Sequence, residues 1–228
     1  MRRFAISDIH GCSKTFHALL EKIELQRDDH LYLLGDYIDR GLDSKGVVDK
    51  ILQLRKDGYK VDCLLGNHEW MLMNSISDYK KFDNWMRNGG SITLESYKIS
   101  ELDYMKKLPS EHVEFFHSLE YYLELEDYFL VHAGFNCKDE DPFNDYESML
   151  WIRDWAKQAK PSVFNGKKVI HGHHARVITK LFEDLKNENN FVYNIDCSCV
   201  YDSKNRLGVL CAFNMDDQTI VTQKNLDT

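Results

Sequence analysis

The chain has 228 residues, 43% hydrophobic and 29% charged, enough to bury the core of one compact domain. Its 29 basic and 37 acidic residues leave a formal net charge of -8, which disfavours a broad electrostatic grip on nucleic acid or an anionic membrane. There is no internal repeat or low-complexity segment. Apolar runs are only a few residues long and the first strand is entered by Phe4, so neither a secretory signal nor a membrane anchor is expected, and a cytoplasmic location is.

Phe4 to Ser7 reads as a short strand ending in Asp8, Ile9, His10 and Gly11. If the backbone stays extended there, Asp8 and His10 share one side while Ile9 enters the core. Ser13 is placed to cap a helix running to about Leu25, in which His17 reads as a half-buried structural histidine. The apolar run Leu31 to Leu34 then leads into Gly35–Gly41, GDYIDRG, with two carboxylates and a guanidinium within five residues. Such a group of charges fits a metal, a phosphate, a structural ion pair or a solvated acidic turn, and the motif alone leaves these open.

A helix is predicted from about Ser44 to Lys56, stopped by Gly58, and a strand from Val61 to Leu65 that runs into Gly66, Asn67, His68 and Glu69. Residues from Trp70 to about Leu119 read as helices and loops broken at Gly89 and Gly90, a cap beside the sheet whose last helix begins at Pro109 and Ser110. The β-rich runs Tyr121 to Glu126 and Tyr128 to Val131 lead to His132, the second being apolar throughout as a doubly covered strand requires. A helix around Met149 to Trp155 places Arg153 between two tryptophans, as a stacked cation or an anion ligand. The strand Lys168 to Ile170 ends in His171, Gly172, His173 and His174. Three closing β-like runs, Phe191 to Ile195, Gly208 to Phe213 and Thr219 to Thr222, suit a second sheet, with frayed residues after them. Cys12, Cys63, Cys137, Cys197, Cys199 and Cys211 are scattered; the Cys197, Cys199 pair lacks the usual zinc spacing and no second pair answers it, so reduced, mostly buried thiols are expected.

Five strand ends thus carry oxygen and imidazole donors: Asp8 with His10, Asp36, Asn67 with His68, His132, and His171 with His173. Together they can ring one site at the carboxyl edge of a sheet. A thiolate-free set of this kind suits manganese, iron or zinc better than calcium, with ligands enough for two ions sharing a carboxylate.

The motifs SDIHG at Ser7–Gly11, GDYIDRG at Gly35–Gly41, GNHE at Gly66–Glu69, VHAG at Val131–Gly134 and HGH at His171–His173 resemble those of the PPP-type metallophosphatases of the calcineurin-like superfamily, in the family's order. NGG at Asn88–Gly90, WIRD at Trp151–Asp154 and NID at Asn194–Asp196 are similar to the small bacterial and phage-type serine/threonine protein phosphatases. The resemblance implies an α/β fold of two packed mixed β-sheets flanked by helices, an αββα sandwich. It would form one domain over residues 1–228, with a largely helical cap segment at about 70–119. It further implies two divalent metal ions, manganese first and iron or zinc as alternatives. Asp8 and His10 would bind one, Asp36 would bridge, and Asn67, His132 and His173 would bind the second. Arg40 and Arg153, with Asn67, would grip phosphate, His68 would be the catalytic acid and Asp39 would orient it. His171 falls outside that ligand set and is a candidate for the site wall.

The expected function is a metal-dependent phosphomonoester hydrolase acting through a metal-bridging hydroxide on phosphoproteins or phosphopeptides at serine and threonine, and at tyrosine as well. The alternative is a dinucleoside polyphosphate hydrolase or a nucleic-acid end phosphatase or cyclic phosphodiesterase. Asp39 speaks against the symmetrical dinucleoside hydrolases, which tend to alter that aspartate. A non-catalytic phosphate-binding module is the reading from another class, and loss of His68 or a ligand would favour it; none is lost. The chain departs from the family at His174 and Ala175, where threonine and proline are common, and at Cys197 and Ser198, where threonine and glycine are.

Overall fold

The computed structural model describes residues 1–100, 104–201 and 207–227. Strands β1 (Arg3–Ile6), β2 (His30–Leu33) and β3 (Lys60–Cys63) run parallel, and β8 (Val209–Asn214) and β9 (Ile220–Lys224) extend the same sheet antiparallel, in the order β3-β2-β1-β8-β9. A second sheet has the order β4-β5-β6-β7, from β4 (Tyr122–Glu124), β5 (Tyr128–Val131), β6 (Lys168–His171) and β7 (Val192–Asn194); only β4 is antiparallel to its neighbour. The three closing β-like runs therefore do not share a sheet. The first joins β6, and the other two return to β1.

Side-chain alternation explains how the sheets stack. Ala5, Tyr32, Tyr128, Leu130, Ile170, Tyr193, Cys211 and Phe213 form a buried layer between the sheets. Their neighbours Phe4, Ile6, Leu31 and Leu33 face the opposite way, onto helices α1 (Ser13–Lys22) and α2 (Ser44–Lys56), while Phe129, Val131 and Val169 pack on Phe135, Met149, Trp155 and Phe164. This is the expected α/β arrangement of two packed mixed sheets flanked by helices.

α2 matches its predicted span, because Asp43 accepts from the Gly46 N–H at one end and Gly58, at φ +84°, turns the chain at the other. α1 is shorter than predicted and Ser13 is its first residue, not its cap. The Asp227 carboxylate accepts the Lys14 and Thr15 N–H groups instead, at 3.1 and 3.0 Å. Residues 225–227 are thereby held in place: Asn225 donates to the Cys199 carbonyl and Leu226 N–H donates to Thr15 Oγ1, against the expectation of frayed ends. His17 is exposed rather than half-buried.

Between β3 and β4 the chain is helical: α3 (Asn67–Asn74), α4 (Tyr79–Trp85), a π-turn (Met86–Gly90), α5 (Ser91–Ser96), α6 (Tyr104–Lys107) and α7 (Ser110–His117). This segment does more than flank the sheet, since the π-turn brings it onto the GDYIDRG loop. Gly89 has φ +114°, and a Cβ there would lie 2.6 Å from the Arg40 backbone nitrogen, so no other residue fits this approach. His112 is buried and saturated, its ring nitrogens engaged by the Tyr97 hydroxyl and the Asp49 carboxylate. Helix α8 (Tyr146–Trp151) is capped by Asp145 and ends before Arg153, so the helix predicted around Met149 to Trp155 is shifted toward the N-terminus. Helix α9 (Ile178–Lys186) was not anticipated, although Ile178, Leu181 and Leu185 at helical spacing mark it and pack on the inter-sheet layer.

Candidate active site

The polar strand ends of the two stacked sheets meet at one end of the sandwich. His132, after β5, donates from Nδ1 to the Leu34 carbonyl after β2 at 2.8 Å, and His173 N–H donates to the Asp8 carboxylate at 3.1 Å. The site is therefore built by both sheets, not at the edge of one. Gly172 permits the second contact, because a Cβ there would collide with Ser7 Oγ and Asp8 Oδ2. β1 stops at Ile6, and Asp8 and His10 have φ of +53° and +45°, so they reach the site through left-handed backbone and not from an extended strand. Asp36, Asp39, Arg40 and His173 are also left-handed, a concentration of backbone strain typical of working sites. Asn67 and His68 sit on the first turn of α3, not at a strand end.

Glu69, also on that turn, organises the loop. Its carboxylate accepts N–H bonds from Asp36, Tyr37, Ile38 and Gly66, at 2.8 to 3.2 Å. Asp39 is held as firmly: Trp85 Nε1–H and the Thr93 hydroxyl donate to it, and its Oδ2 accepts from His68 Nδ1–H at 2.7 Å. Burial pushes the Asp39 carboxyl up to about 7 against those donors, and holds His68 well below the ordinary histidine range, aided by Arg40 and His132. With Nδ1 bound to Asp39, His68 Nε2 is buried without any hydrogen-bond partner.

The donor atoms converge as ligands do. His10 Nδ1–H donates to the Ile38 carbonyl at 2.9 Å and His132 Nδ1–H to Leu34, leaving the Nε2 lone pair of each turned inward. His132 Nε2 lies 3.0 Å from Asn67 Oδ1 and 3.5 Å from an Asp36 oxygen, His173 Nδ1 lies 2.9 Å from the same Asn67 oxygen, and His10 Nε2 lies 3.4 Å from Asp36. Acceptors facing acceptors need a cation between them. Asp36, His132 and His173 form one group that could hold a metal ion, and His10, Asp36 and His68 another. Asp8 is outside both tight groups; Ser7 Oγ and His173 N–H hold its carboxylate. Burial raises Asp8 to about 6 and Asp36 to about 7. These residues fit divalent cations: oxygen and imidazole donors, no thiolate, and acid groups whose ionisation is costly without added positive charge.

A cleft of about 330 Å³ opens over this centre, lined by His10, Asp36, Arg40 and Asn67 on its floor, with Asn88, Trp151, Arg153, His174, Asp196 and Tyr201 among its wall residues. An apolar pocket of about 470 Å³ lies in the cap around Ser75, Phe82 and Tyr104, away from these donors. Among the described residues neither Arg40 nor Arg153 forms an ion pair with a carboxylate; Arg40 donates only to His10 Nε2, and Arg153 is exposed. Arg153 is not held between stacked indoles, for the Trp151 ring packs edge-on to Trp70 and His173, and Trp155 packs on Phe135, Phe164 and His171. His171 is not on the cleft wall. Its Nδ1–H donates to the Gly172 carbonyl, and burial pushes it down to about 3.

Asp196 was missed as a site residue, though the NID motif holds it. It lies in the cleft, 4% exposed, accepts the Ser198 N–H at 2.8 Å, and is raised by burial and by the Asp8 carboxylate. Glu69, Trp85 and Thr93 were missed because their partners lie far along the chain. Cys197 and Cys199 are buried free thiols beside Cys211 and Cys12, which together with burial raise them. Among the described residues no cysteine belongs to a metal-holding group.

A sequence profile described as "Calcineurin-like phosphoesterase" matches residues 1–209. The chain belongs to this family. Members of this metallophosphoesterase family use divalent metals, in keeping with the donor groups above. The calcineurin-like chain is 41% identical over 101 residues to a symmetrical bis(5'-nucleosyl)-tetraphosphatase of Buchnera aphidicola, an alignment covering 41% of this chain and 36% of that one. It thus spans about a third of the length of that curated relative. A solved structure of a candidate diadenosine tetraphosphatase has a TM-score of 0.65 at 18% identity, covering 100% of this chain and 95% of that one. A protein serine/threonine phosphatase from Saccharomyces cerevisiae has a TM-score of 0.63 at 16% identity, covering 100% and 81%. These two likenesses concern the fold. The curated relatives that match are named symmetrical bis(5'-nucleosyl)-tetraphosphatases, where a PPP-type protein phosphatase was expected.

Proposed function

We propose that the chain is a metal-dependent hydrolase of dinucleoside polyphosphates that splits a dinucleoside tetraphosphate symmetrically, one water adding as the central anhydride bond breaks, into two nucleoside diphosphates. The observation that carries this reading is the 41% identity to a symmetrical bis(5'-nucleosyl)-tetraphosphatase. Unpaired guanidiniums in the cleft agree with a highly anionic substrate.

Asp8, His10 and Asp36 would hold one divalent cation, and Asp36, Asn67, His132 and His173 a second, the mixed carboxylate and imidazole donors suiting manganese, iron or zinc. When bound, the metals supply neutralisation of phosphoryl charge and a water acidic enough to attack at neutral pH. The chain's own groups do the rest. Arg40 and Arg153 bind the oxygens of the reacting phosphoryl group and stabilise its charge in the transition state. Asp39, fixed by Trp85 and Thr93, turns the His68 ring so that Nε2 faces the site. From there His68, when protonated at Nε2 with Asp39 balancing the charge, would give a proton to the departing oxygen.

A second reading, a serine/threonine protein phosphatase, is favoured by that Asp39–His68 pair at 2.7 Å. A departing alkoxide is a strong base and needs the proton, whereas a departing diphosphate is a weak one. The two readings are tested on purified protein with manganese, using phosphoserine, phosphothreonine and phosphotyrosine peptides against diadenosine tetraphosphate. Preference for the dinucleotide, with ADP as sole nucleotide product, is expected; preference for the peptides overturns the first reading in favour of the second.

A further inference from the structure

The cleft carries one histidine with no task in this chemistry. His174 lines it beside Arg153, directly after His173. Its backbone is pinned on both sides: its N–H donates to the Gly172 carbonyl, and its own carbonyl accepts from Asn194 Nδ2, each at 2.8 Å. His173 before it is left-handed at φ +66°, so the HGHH turn has little freedom. Among the described residues the His174 imidazole makes no hydrogen bond of its own, although the histidines at 10, 68, 132, 171 and 173 all do. A half-buried ring on a fixed backbone, in a cleft with unpaired guanidiniums, is a donor without an acceptor.

We propose that His174 forms an anion subsite that receives the adjoining phosphate of a polyphosphate chain, next to the reacting phosphoryl group held by Arg40 and Arg153. A neutral imidazole has one N–H to donate, and that suffices. His173 and His174 both line the cleft and their Cα atoms are about 3.8 Å apart, so a group bound at His174 lies next to the centre that His173 helps to form. The inference deepens the proposed function, rests on it for the natural substrate, and makes His174 a specificity residue that separates anhydride chains from lone phosphomonoesters.

The test is inhibition of aryl phosphate hydrolysis by ADP and by AMP, at fixed free manganese. One added charge-assisted hydrogen bond corresponds to about a tenfold difference in inhibition constant, so wild type is expected to bind ADP about tenfold more tightly than AMP. In His174→Ala that ratio should fall close to one, and His174→Gln, which retains an N–H donor, should restore most of it. A ratio unchanged in His174→Ala overturns the subsite. The outcome is separable from the proposed function: wild type inert toward diadenosine tetraphosphate, with the ratio still dependent on His174, defeats the proposed substrate and leaves the subsite standing. Brisk dinucleotide turnover with a ratio indifferent to His174 defeats the subsite alone.

Discussion

The two sides of the cleft are built differently. On the side of the first sheet, the GDYIDRG loop is saturated: Glu69 accepts four backbone N–H groups, and Asp39 is held by Trp85, Thr93 and His68. On the other wall, Arg153 is exposed, the His174 ring is unpartnered, and Tyr201 is 43% exposed. Both sides carry motifs, GDYIDRG and GNHE on the first and VHAG, HGH, WIRD and NID on the second. The difference suggests a division of labour: geometry for bond cleavage demands preorganised groups, while substrate choice is left to side chains free to meet it.

That contrast can be broken in order of expected effect. Thorough metal removal should abolish hydrolysis of an aryl phosphate, and manganese should restore it; activity that survives chelation would remove the basis for a metal centre between the two sides. His68→Asn should lower turnover of an aryl phosphate by about 10² to 10⁴ with metal content near wild type. A matching fall in bound manganese would instead make His68 a ligand, as its grouping with His10 and Asp36 allows. Glu69→Gln leaves backbone donors of the loop unsatisfied and should cost about 1–3 kcal/mol of stability, read by denaturant unfolding. Arg153→Ala, on the open wall, should raise KM about tenfold while leaving the melting temperature unchanged, because no protein group depends on it. Asp227→Ala touches neither side. Loss of the α1 cap should cost about 1 kcal/mol with kcat unaltered, and a larger loss of kcat would tie the chain's end to the site.

Much of the donor centre between the two sides could be read from sequence because its donors sit in short motifs near apolar strand ends. Asp8, His10, Asp36, Asn67, His132 and His173 were all named, and they meet as expected, though Asp8 and His10 arrive through left-handed turns. Glu69, Trp85 and Thr93 were not named as supports. Their partners lie some 30 to 54 positions away, and no local pattern announces a bond of that span. Asp196 was visible in its motif, but a lone acidic residue after a strand has no distinguishing mark until Asp8 is found beside it.

The sequence by itself determined the α/β class, the apolar strands and the identity of the polar residues that end them, because alternation and turn chemistry are local. Only the tertiary structure decided that β8 and β9 return to the first sheet, that the cap's π-turn lies on Arg40, and which cations in the cleft are left unpaired. Those outcomes depend on contacts between segments remote in the chain, where burial and hydrogen-bond saturation are settled by the whole fold and not by any stretch of it.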